Sequence, residues 1–467
     1  MTNKHLLPFL LLPLFAVPNA QAAIDLIAIG QVSGSYQDMA TKTATPLENG
    51  VAGNILGGVG SGLAYAGGNT FLALPDRGPN ATDYNATIDN TTSYIPRFQT
   101  FSLSLAANPA YDSLTVGSLP YILSPFLTDT TLLYSKRKLA YGVDGAPDLN
   151  HKNKFYFSGR SDNFDATKPS TNPQNGRLDP EGIRLSNDGE SVFITDEYGP
   201  YVYQFDRNSG KRIKAFTLPA YFSATKPAAA EAIEIPNNTV GRISNKGMEA
   251  LAITPDGSTL VGMMQQNLAQ DTKKYLRIIT IDIATGLTHE FVYKLDKGSS
   301  VSDILAINDH EFLVDERDGA GLGDGSLAKV KKLYKIDLTG ATDISGVAAI
   351  TATNLPGITL VQKSEFLDVV ARLTAIGITA DKVPAKLEGV AFGPDIVIKG
   401  VNKHTLFIAN DNDFLPSVGG INNPNQFFVF AVDESDLFGY SPQQIGHSHH
   451  EDHEEDHHDA RGHSHDD

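Results

Sequence analysis

Acidic and amide residues recur along the chain at two matching positions. The first position opens a strand-like run, and Glu181, Glu249 and Glu388 stand there, each followed by Gly or Ala; Ser61 and Asp303 complete the set. The second position ends the next run at a nearly constant spacing. It holds Asp76-Arg77, Asp196-Glu197, Gln265-Gln266-Asn267, Asp315-Glu316-Arg317 and Asn410-Asp411-Asn412.

Carboxylates that converge in one place repel each other and take up protons unless a cation lies among them. Carboxylate and amide oxygens without any Cys favour Ca²⁺ or Mg²⁺ over zinc. Arg77 and Arg317 directly follow acids, so they either pair with those acids or hold an anionic substrate. The alternative is structural, because Asp and Glu at strand ends often only cap turns.

The elements that would position these residues form a repeat. Each copy is a short apolar strand, a turn, a strand that ends in acids or amides, and an outer aromatic-rich strand. Such repeats predict an all-β fold, a β-propeller, in which the equivalent residues of each blade face one axis. Five copies are recognisable, at 60–105, 179–211, 245–286, 300–340 and 386–435.

The expected number of blades is six. The sixth would come from 114–160, or from closure of Asp25–Val32 onto the last blade. Seven blades or a pair of β-sandwiches are the alternatives. Apolar residues at Phe366, Val369, Val370 and Leu373 have helical spacing, which predicts a short helical insertion over 364–382.

Both ends of the chain differ from this repeat. Residues 1–22 combine a short apolar run with the small-residue site Ala20-Gln21-Ala22, which predicts a signal peptide and a periplasmic or secreted protein. The propeller domain would then span 23–440. The tail, 441–467, is rich in His and acids and is expected to be disordered. His449, His453 and His457 are its candidate ligands for Zn, Ni or Cu, although a simple solvated tail is the alternative.

Composition excludes several function classes. A net charge of −17 argues against a nucleic-acid partner, since phosphate backbones are bound by an excess of Lys and Arg. The absence of Cys excludes disulfides, thiolate nucleophiles and Fe–S clusters. No apolar run after the leader is long enough to span a membrane. We expect a monomer that acts on a small-molecule ester.

Several of the repeated motifs resemble those of a known family. DPEGI with TDEYGPYVYQFD, NKGMEALAITPDG, DERDG with YKIDLTGATDIS, and KLEGVAFGPD with IANDNDF are similar to the phytase-like domain family, also described as esterase-like activity of phytase. The resemblance covers about residues 55–432, without the His-rich tail. It implies a β-propeller, an extracellular or periplasmic location, and hydrolysis of phosphate or other esters.

Together, the residues and the resemblance give one leading hypothesis: metal-assisted hydrolysis of a phosphate ester, with Ca²⁺ in the channel. One alternative is a calcium-dependent lactonase or carboxylesterase in which Glu181, Glu249, Asn267 and Asn410 hold the ion. Another is a periplasmic binding or metal-handling protein without enzymatic activity. The predicted catalytic residues are Glu181, Glu249, Glu388, Arg77 and Arg317; the predicted substrate-binding residues are Asp76, Glu197, Gln266 and Asn410; and the predicted channel metal ligands are Asp196, Glu316 and Asp411.

Overall fold

Five antiparallel sheets form a closed ring in the computed structural model, which describes residues 24–81 and 88–446. The inner strand of each sheet lies beside the inner strand of the next, and the last lies beside the first, so the described part of the chain is a five-bladed β-propeller. From the inner to the outer strand, blade 1 is Gly62–Tyr65, Thr70–Leu74, Arg97–Ala107 and Tyr121–Leu132; blade 2 is Pro180–Leu185, Ser191–Asp196, Tyr201–Asp206 and Arg212–Thr217; blade 3 is Met248–Ile253, Thr259–Met264, Tyr275–Asp282 and Thr288–Lys294; blade 4 is Ser300–Ala306, Glu311–Arg317, Lys331–Asp337 and Gln362–Asp368; and blade 5 is Lys386–Phe392, Val401–Asp411, Asn425–Val432 and Asp25–Val32.

The all-β propeller is confirmed, but the prediction of six blades was wrong. The stretch proposed as a sixth blade supplies the outer strand of blade 1 instead, plus a short ladder between Tyr134–Ser135 and Phe155–Tyr156. Leu133 and Phe157 beside that ladder pack into the apolar cluster between blades 1 and 2. Asp25–Val32 does close onto the last blade, but as its fourth strand, paired with Asn425–Val432.

The predicted helical insertion is shorter than expected. Its α-helix, Val369–Ala375, begins where Asp368 accepts a hydrogen bond from the Ala371 N–H at 2.9 Å. The residues before it, Gln362–Asp368, are a strand, because the outer edge of Lys331–Asp337 pairs with them. A second α-helix, Glu231–Asn237, was not predicted. The remaining elements are 3-10 turns at Thr41–Thr43, Ala220–Phe222 and Leu355–Gly357, and short strands at Ile396–Ile398, Ser417–Val418 and Ile421–Asn422.

Apolar side chains fill the spaces between blades. Between blades 5 and 1, for example, Phe71, Phe101, Phe407 and Phe427 are buried together, with ring centroids 4.6 Å apart for Phe71–Phe407 and 5.5 Å apart for Phe101–Phe427. Burial of aromatic faces of this size is the main stabilisation of such a ring. The ring therefore holds the inner strands, and the residues at their ends, at fixed positions.

The two ends of the central channel differ. We call the end where the inner strands begin the upper end, and the end where they finish the lower end. At the lower end, Ser441 N donates to Ile307 O at 2.8 Å, Gln443 Nε2 to Leu185 O at 2.7 Å, and Gly446 N to Asn187 O at 2.8 Å. Residues 441–446, which the sequence analysis assigned to the tail, therefore cross from blade 4 to blade 2 as a strap.

Two sequence predictions lie outside the described residues. These are the signal peptide at 1–22 and the candidate tail ligands His449, His453 and His457. Across the part of the chain that the structure describes, no helix is both long and apolar enough to cross a membrane.

Candidate active site

A polar cavity of about 640 Å³ occupies the upper end of the channel. It is formed by the beginnings of the inner strands and by the loops that connect the blades. Most of the residues predicted from the sequence line it together. They are Asp76, Arg77, Glu181, Glu197, Glu249, Gln266, Arg317 and Glu388.

A shared backbone irregularity places the three predicted glutamates. The pairing of each inner strand with its neighbour shifts register at the glutamate: between Pro180 and Ile183, between Met248 and Ala250, and between Leu387 and Val390. A β-bulge turns a side chain away from the regular alternation of the strand. Because the bulge recurs at the same place on three blades, Glu181, Glu249 and Glu388 all line the channel cavity.

The small residue that follows each glutamate has a packing reason. A Cβ on Gly182 would lie 2.8 Å from Leu251 Cβ, and one on Gly389 would lie 2.8 Å from the carbonyl carbon of Gly62. Both distances are shorter than real Cβ contacts, because the neighbouring inner strand passes directly beside the bulge. The Glu-Gly motif thus records how closely the inner strands approach each other at the cavity.

Burial and crowding of like charges raise the pKa values of these acids. For Glu181, which is 8% exposed, burial is the largest cause of the raised pKa, followed by the charges of Glu249 and Asp179. Burial also raises the pKa of Glu249 well above its usual range, with Glu197 and Glu388 as further causes. The pKa of Glu197 rises to about 7, chiefly through burial and then through Asp179. The cavity therefore favours protonated acids or a compensating cation.

Asp179 was missed by the sequence analysis and completes an acidic group. One carboxylate oxygen from each of Asp179, Glu181 and Glu197 lies within 4.8 Å of the others, and all three residues are buried. Asp179 immediately precedes the inner strand of blade 2. Its position in the DPEG motif, two residues before Glu181, was the available signal.

This group fits a hard cation. Next to it, Glu249 Oε2 and Gln265 Oε1 are buried without a hydrogen-bond partner, and both residues line the same cavity. Buried oxygens without a donor are costly, and a cation would satisfy them. All of these donors are oxygen atoms, the ligand type that Ca²⁺ and Mg²⁺ prefer.

The two predicted arginines have different partners. Arg77 Nη1 donates to Asp179 Oδ2 and to Asn245 Oδ1, each at 3.0 Å, and so ties blade 1 to the loops of blades 2 and 3. Arg317 Nε donates to Ser302 Oγ at 2.6 Å, and its Nη2 donates to Glu388 Oε1. Lys386 also lines the cavity and forms ion pairs with Asp411 and Asp413.

Four predicted site residues do not line the cavity. Asp196 accepts hydrogen bonds from Asp179 N and Tyr198 N, both at 3.0 Å. Glu316 accepts from Tyr293 Oη at 2.9 Å and pairs with Lys363, on the opposite side of its strand from Asp315 and Arg317. The other two are Asn410, which contacts Gln426 N and Pro424 O, and Asp411, which reaches the cavity only through Lys386.

The comparisons with known proteins agree with the family suggested by the motifs. A model of the phytase-like family, described as esterase-like activity of phytase, matches residues 54–414. The chain belongs to this family. An uncharacterised secreted protein of Arthroderma benhamiae is 30% identical over 293 residues, which are 52% of this chain and 52% of that protein. The chain thus spans about half the length of this relative.

Solved structures are similar only at a distance. A gluconolactonase of Xanthomonas campestris is 10% identical with a TM-score of 0.32, over 88% of this chain and 99% of that chain. A hydrazine synthase of Kuenenia stuttgartiensis is 12% identical with a TM-score of 0.31, over 76% of this chain and 78% of that chain. Similarity at this level says nothing about the substrate.

Proposed function

We propose that this phytase-like protein is a metal-dependent ester hydrolase, and that its substrate is a phosphate ester bound in the upper cavity. One observation carries the proposal: a buried group of carboxylate oxygens faces two guanidinium groups across a single cavity. An acidic group alone would serve a cation, and arginines alone would serve an anion. Their combination suits a cation and a phosphate bound side by side.

In this proposal, Asp179, Glu181 and Glu197 hold the cation, and the all-oxygen donor set favours Ca²⁺. When bound, a divalent cation neutralises charge on the ester and lowers the pKa of an attacking water. Glu249 Oε2, which has no hydrogen-bond partner, accepts the proton of that water. The raised pKa of Glu249 suits this role, because a base is most effective when its pKa lies near the working pH.

The guanidinium groups stabilise the other charge of the reaction. A phosphoryl group in transfer carries negative charge on its equatorial oxygens, and preorganised cationic donors stabilise it. Arg317 and Arg77 line the cavity and are held in place by their own partners. They would bind the phosphoryl oxygens without first having to leave water, which keeps the cost of reorganisation low.

The geometry favours a phosphate ester over a lactone. The lactonase alternative required Asn267 and Asn410 as ligands, but Asn410 contacts Gln426 N and Asn267 Nδ2 donates to Leu268 O. Among the described residues, the lysines that line the cavity are Lys246 and Lys386, and Lys386 is already paired with Asp411 and Asp413. We therefore propose a phosphate ester of lower charge than phytate.

We also propose that the protein is exported. The leader at 1–22 supports this, and so does the description of the Arthroderma benhamiae relative as secreted. The monomeric state, the absence of a nucleic-acid partner and the binding of Zn, Ni or Cu by the His-rich tail stay predictions.

Hydrolysis assays on the purified protein test the proposal. A phosphomonoester, a phosphodiester and a lactone are each incubated with Ca²⁺ and with EGTA. We expect turnover of a phosphate ester that EGTA abolishes, and loss of that turnover in Glu181→Gln with the fold intact. Glu190→Gln, the same substitution on an exposed turn, is the matched control.

Three outcomes would contradict the proposal. Turnover retained by Glu181→Gln would exclude the site, and turnover of the lactone alone would favour the lactonase alternative. No turnover of any ester by the folded protein would favour a binding or metal-handling role.

A further inference from the structure

The charged residues of the upper cavity fall into two groups according to their partners. Blades 2 and 3 carry the carboxylates whose oxygens lack partners or cluster together, as described above. Blades 4 and 5 carry Arg317, Lys386 and Glu388, whose charges are already paired with each other or with Asp411 and Asp413. We call these the carboxylate half and the guanidinium half of the cavity.

The three equivalent glutamates therefore have different surroundings. Neither carboxylate oxygen of Glu181 accepts a hydrogen bond from a described residue, and Glu249 Oε2 has no partner. Glu388, by contrast, accepts a hydrogen bond from Arg317 Nη2 and is only 3% exposed. The repeat in the sequence makes these residues look alike, whereas the structure separates Glu388 from the other two.

Arg317 is held from two sides, and one terminal nitrogen is left over. Ser302, on the inner strand of blade 4, accepts from Nε at 2.6 Å, and Glu388, on the inner strand of blade 5, accepts from Nη2. Nη1 donates to no described residue, although Arg317 lines the cavity and is 7% exposed. A planar guanidinium fixed at two nitrogens has its third nitrogen in a defined direction.

We propose that Glu388 is a positioning residue for Arg317, and that Arg317 Nη1 contacts a phosphoryl oxygen of the substrate. This inference rests on the proposed function, and it assigns Glu388 neither to the cation nor to proton transfer. A carboxylate that accepts a hydrogen bond from a buried guanidinium is a poor base. Recruiting it to a cation would leave Arg317 buried and unpaired, which is strongly unfavourable.

Two substitutions of Glu388 distinguish positioning from a direct role. Glu388→Gln keeps an oxygen that accepts from Arg317 Nη2, whereas Glu388→Ala removes it. We expect Glu388→Gln to retain kcat/KM to within about fivefold and Glu388→Ala to lose about 10- to 100-fold, the usual range for a residue that orients another. Arg317→Ala should lose about 100- to 1,000-fold, since it removes the charge-stabilising donor itself, and added guanidine should restore part of the activity.

Binding measurements give a readout that is independent of turnover. Inorganic phosphate titrated into the full-length protein should bind Glu388→Gln nearly as well as wild type, about tenfold more weakly to Glu388→Ala, and not measurably to Arg317→Ala. The Ca²⁺ affinity of all three variants, measured in the same way, should stay within about threefold of wild type. Glu181→Gln should instead weaken Ca²⁺ binding.

The outcomes separate this inference from the proposed function. If wild type hydrolyses the ester but Glu388→Gln is as impaired as Glu388→Ala, the positioning role is wrong and Glu388 acts directly. A large loss of Ca²⁺ affinity in Glu388→Gln would also overturn it. If wild type shows no turnover, the proposed function fails, and phosphate binding unchanged in Glu388→Ala would then reject the positioning role as well. Should Glu388→Ala not fold, Glu388→Gln against Arg317→Lys gives the same comparison.

Discussion

The two ends of the propeller channel use the same residue types in opposite ways. At the lower end, Arg184 Nη2 contacts both oxygens of Asp303 at 3.0 Å, and Arg184 Nη1 donates to Leu63 O at 2.7 Å. Asp303 Oδ2 also accepts from Val390 N at 2.9 Å. Arg184 therefore links four blades across the axis, and its charge is balanced.

At the upper end, the carboxylates outnumber their partners. Glu181, Glu249 and Asp179 lie in a cavity, whereas Asp303, on the equivalent inner strand of blade 4, is paired below it. Paired buried charges can fix an architecture, but buried charges without partners are costly and persist where they do chemistry. The contrast identifies the upper end as the functional end and the lower end as a structural closure.

Breaking the lower closure should have the largest effect on stability. Arg184→Met leaves Asp303 buried without its cation, which we expect to lower the free energy of unfolding by about 3–5 kcal/mol. The double variant Arg184→Met/Asp303→Asn should recover most of this loss, because no buried charge is left. Urea denaturation measures both. A loss below about 1 kcal/mol for Arg184→Met would mean that the two ends do not differ in the way described.

The upper carboxylates should make stability depend on pH. The pKa of Glu197 is about 7 in the folded protein against 4.5 for an ordinary glutamate, so the folded state holds a proton that the unfolded state has released. Without a divalent cation, stability should therefore fall as the pH rises from about 4.5 to about 7. Ca²⁺ should reduce or reverse this fall, since it binds the ionised acids.

Thermal melting at several pH values, in EGTA and in Ca²⁺, tests this dependence. Glu249→Gln should flatten the slope in EGTA, because the pKa of Glu249 is also raised by burial, whereas Glu190→Gln on the surface should not. Stability that rises with pH over this range in EGTA would contradict the idea that the upper acids are destabilised when ionised.

Removing the strap should have a smaller effect and should leave the upper cavity unchanged. A chain that ends at residue 440 loses three of the hydrogen bonds described at the lower end, each worth about 0.5–1.5 kcal/mol. We expect a modest loss of stability with Ca²⁺ affinity and turnover unchanged. A chain that ends at residue 446 is the matched control, because it keeps the strap and lacks only the remaining tail. Lost turnover in the shorter chain alone would mean that the two ends are coupled.

The sequence was sufficient for the fold class and for the convergence of the repeated acids. Alternating strands and recurrent Glu-Gly motifs reflect local backbone demands, the bulge and the close approach of the neighbouring strand, which any copy of the repeat must meet. The number of blades depended on where Asp25–Val32 and Tyr121–Leu132 pair, and those are long-range choices that no local pattern specifies.

The same limit explains the errors at the site. In DERD, Asp315 and Arg317 share one side of a strand and Glu316 the other, so the strand's register decided which of them lines the cavity. Asp179 precedes its strand, where position in the repeat gives less guidance. The pairing of Glu388 with Arg317 joins two blades, and the equivalence of the glutamates in sequence concealed it.

Calorimetric titration of Ca²⁺ into the protein ending at residue 446 is the decisive test of a cation site in the upper cavity. We expect one ion to bind to this chain, Glu181→Gln or Asp179→Asn to weaken binding greatly, and Glu190→Gln to leave it unchanged. No Ca²⁺ binding, or equal binding by Glu181→Gln and wild type, would contradict such a site.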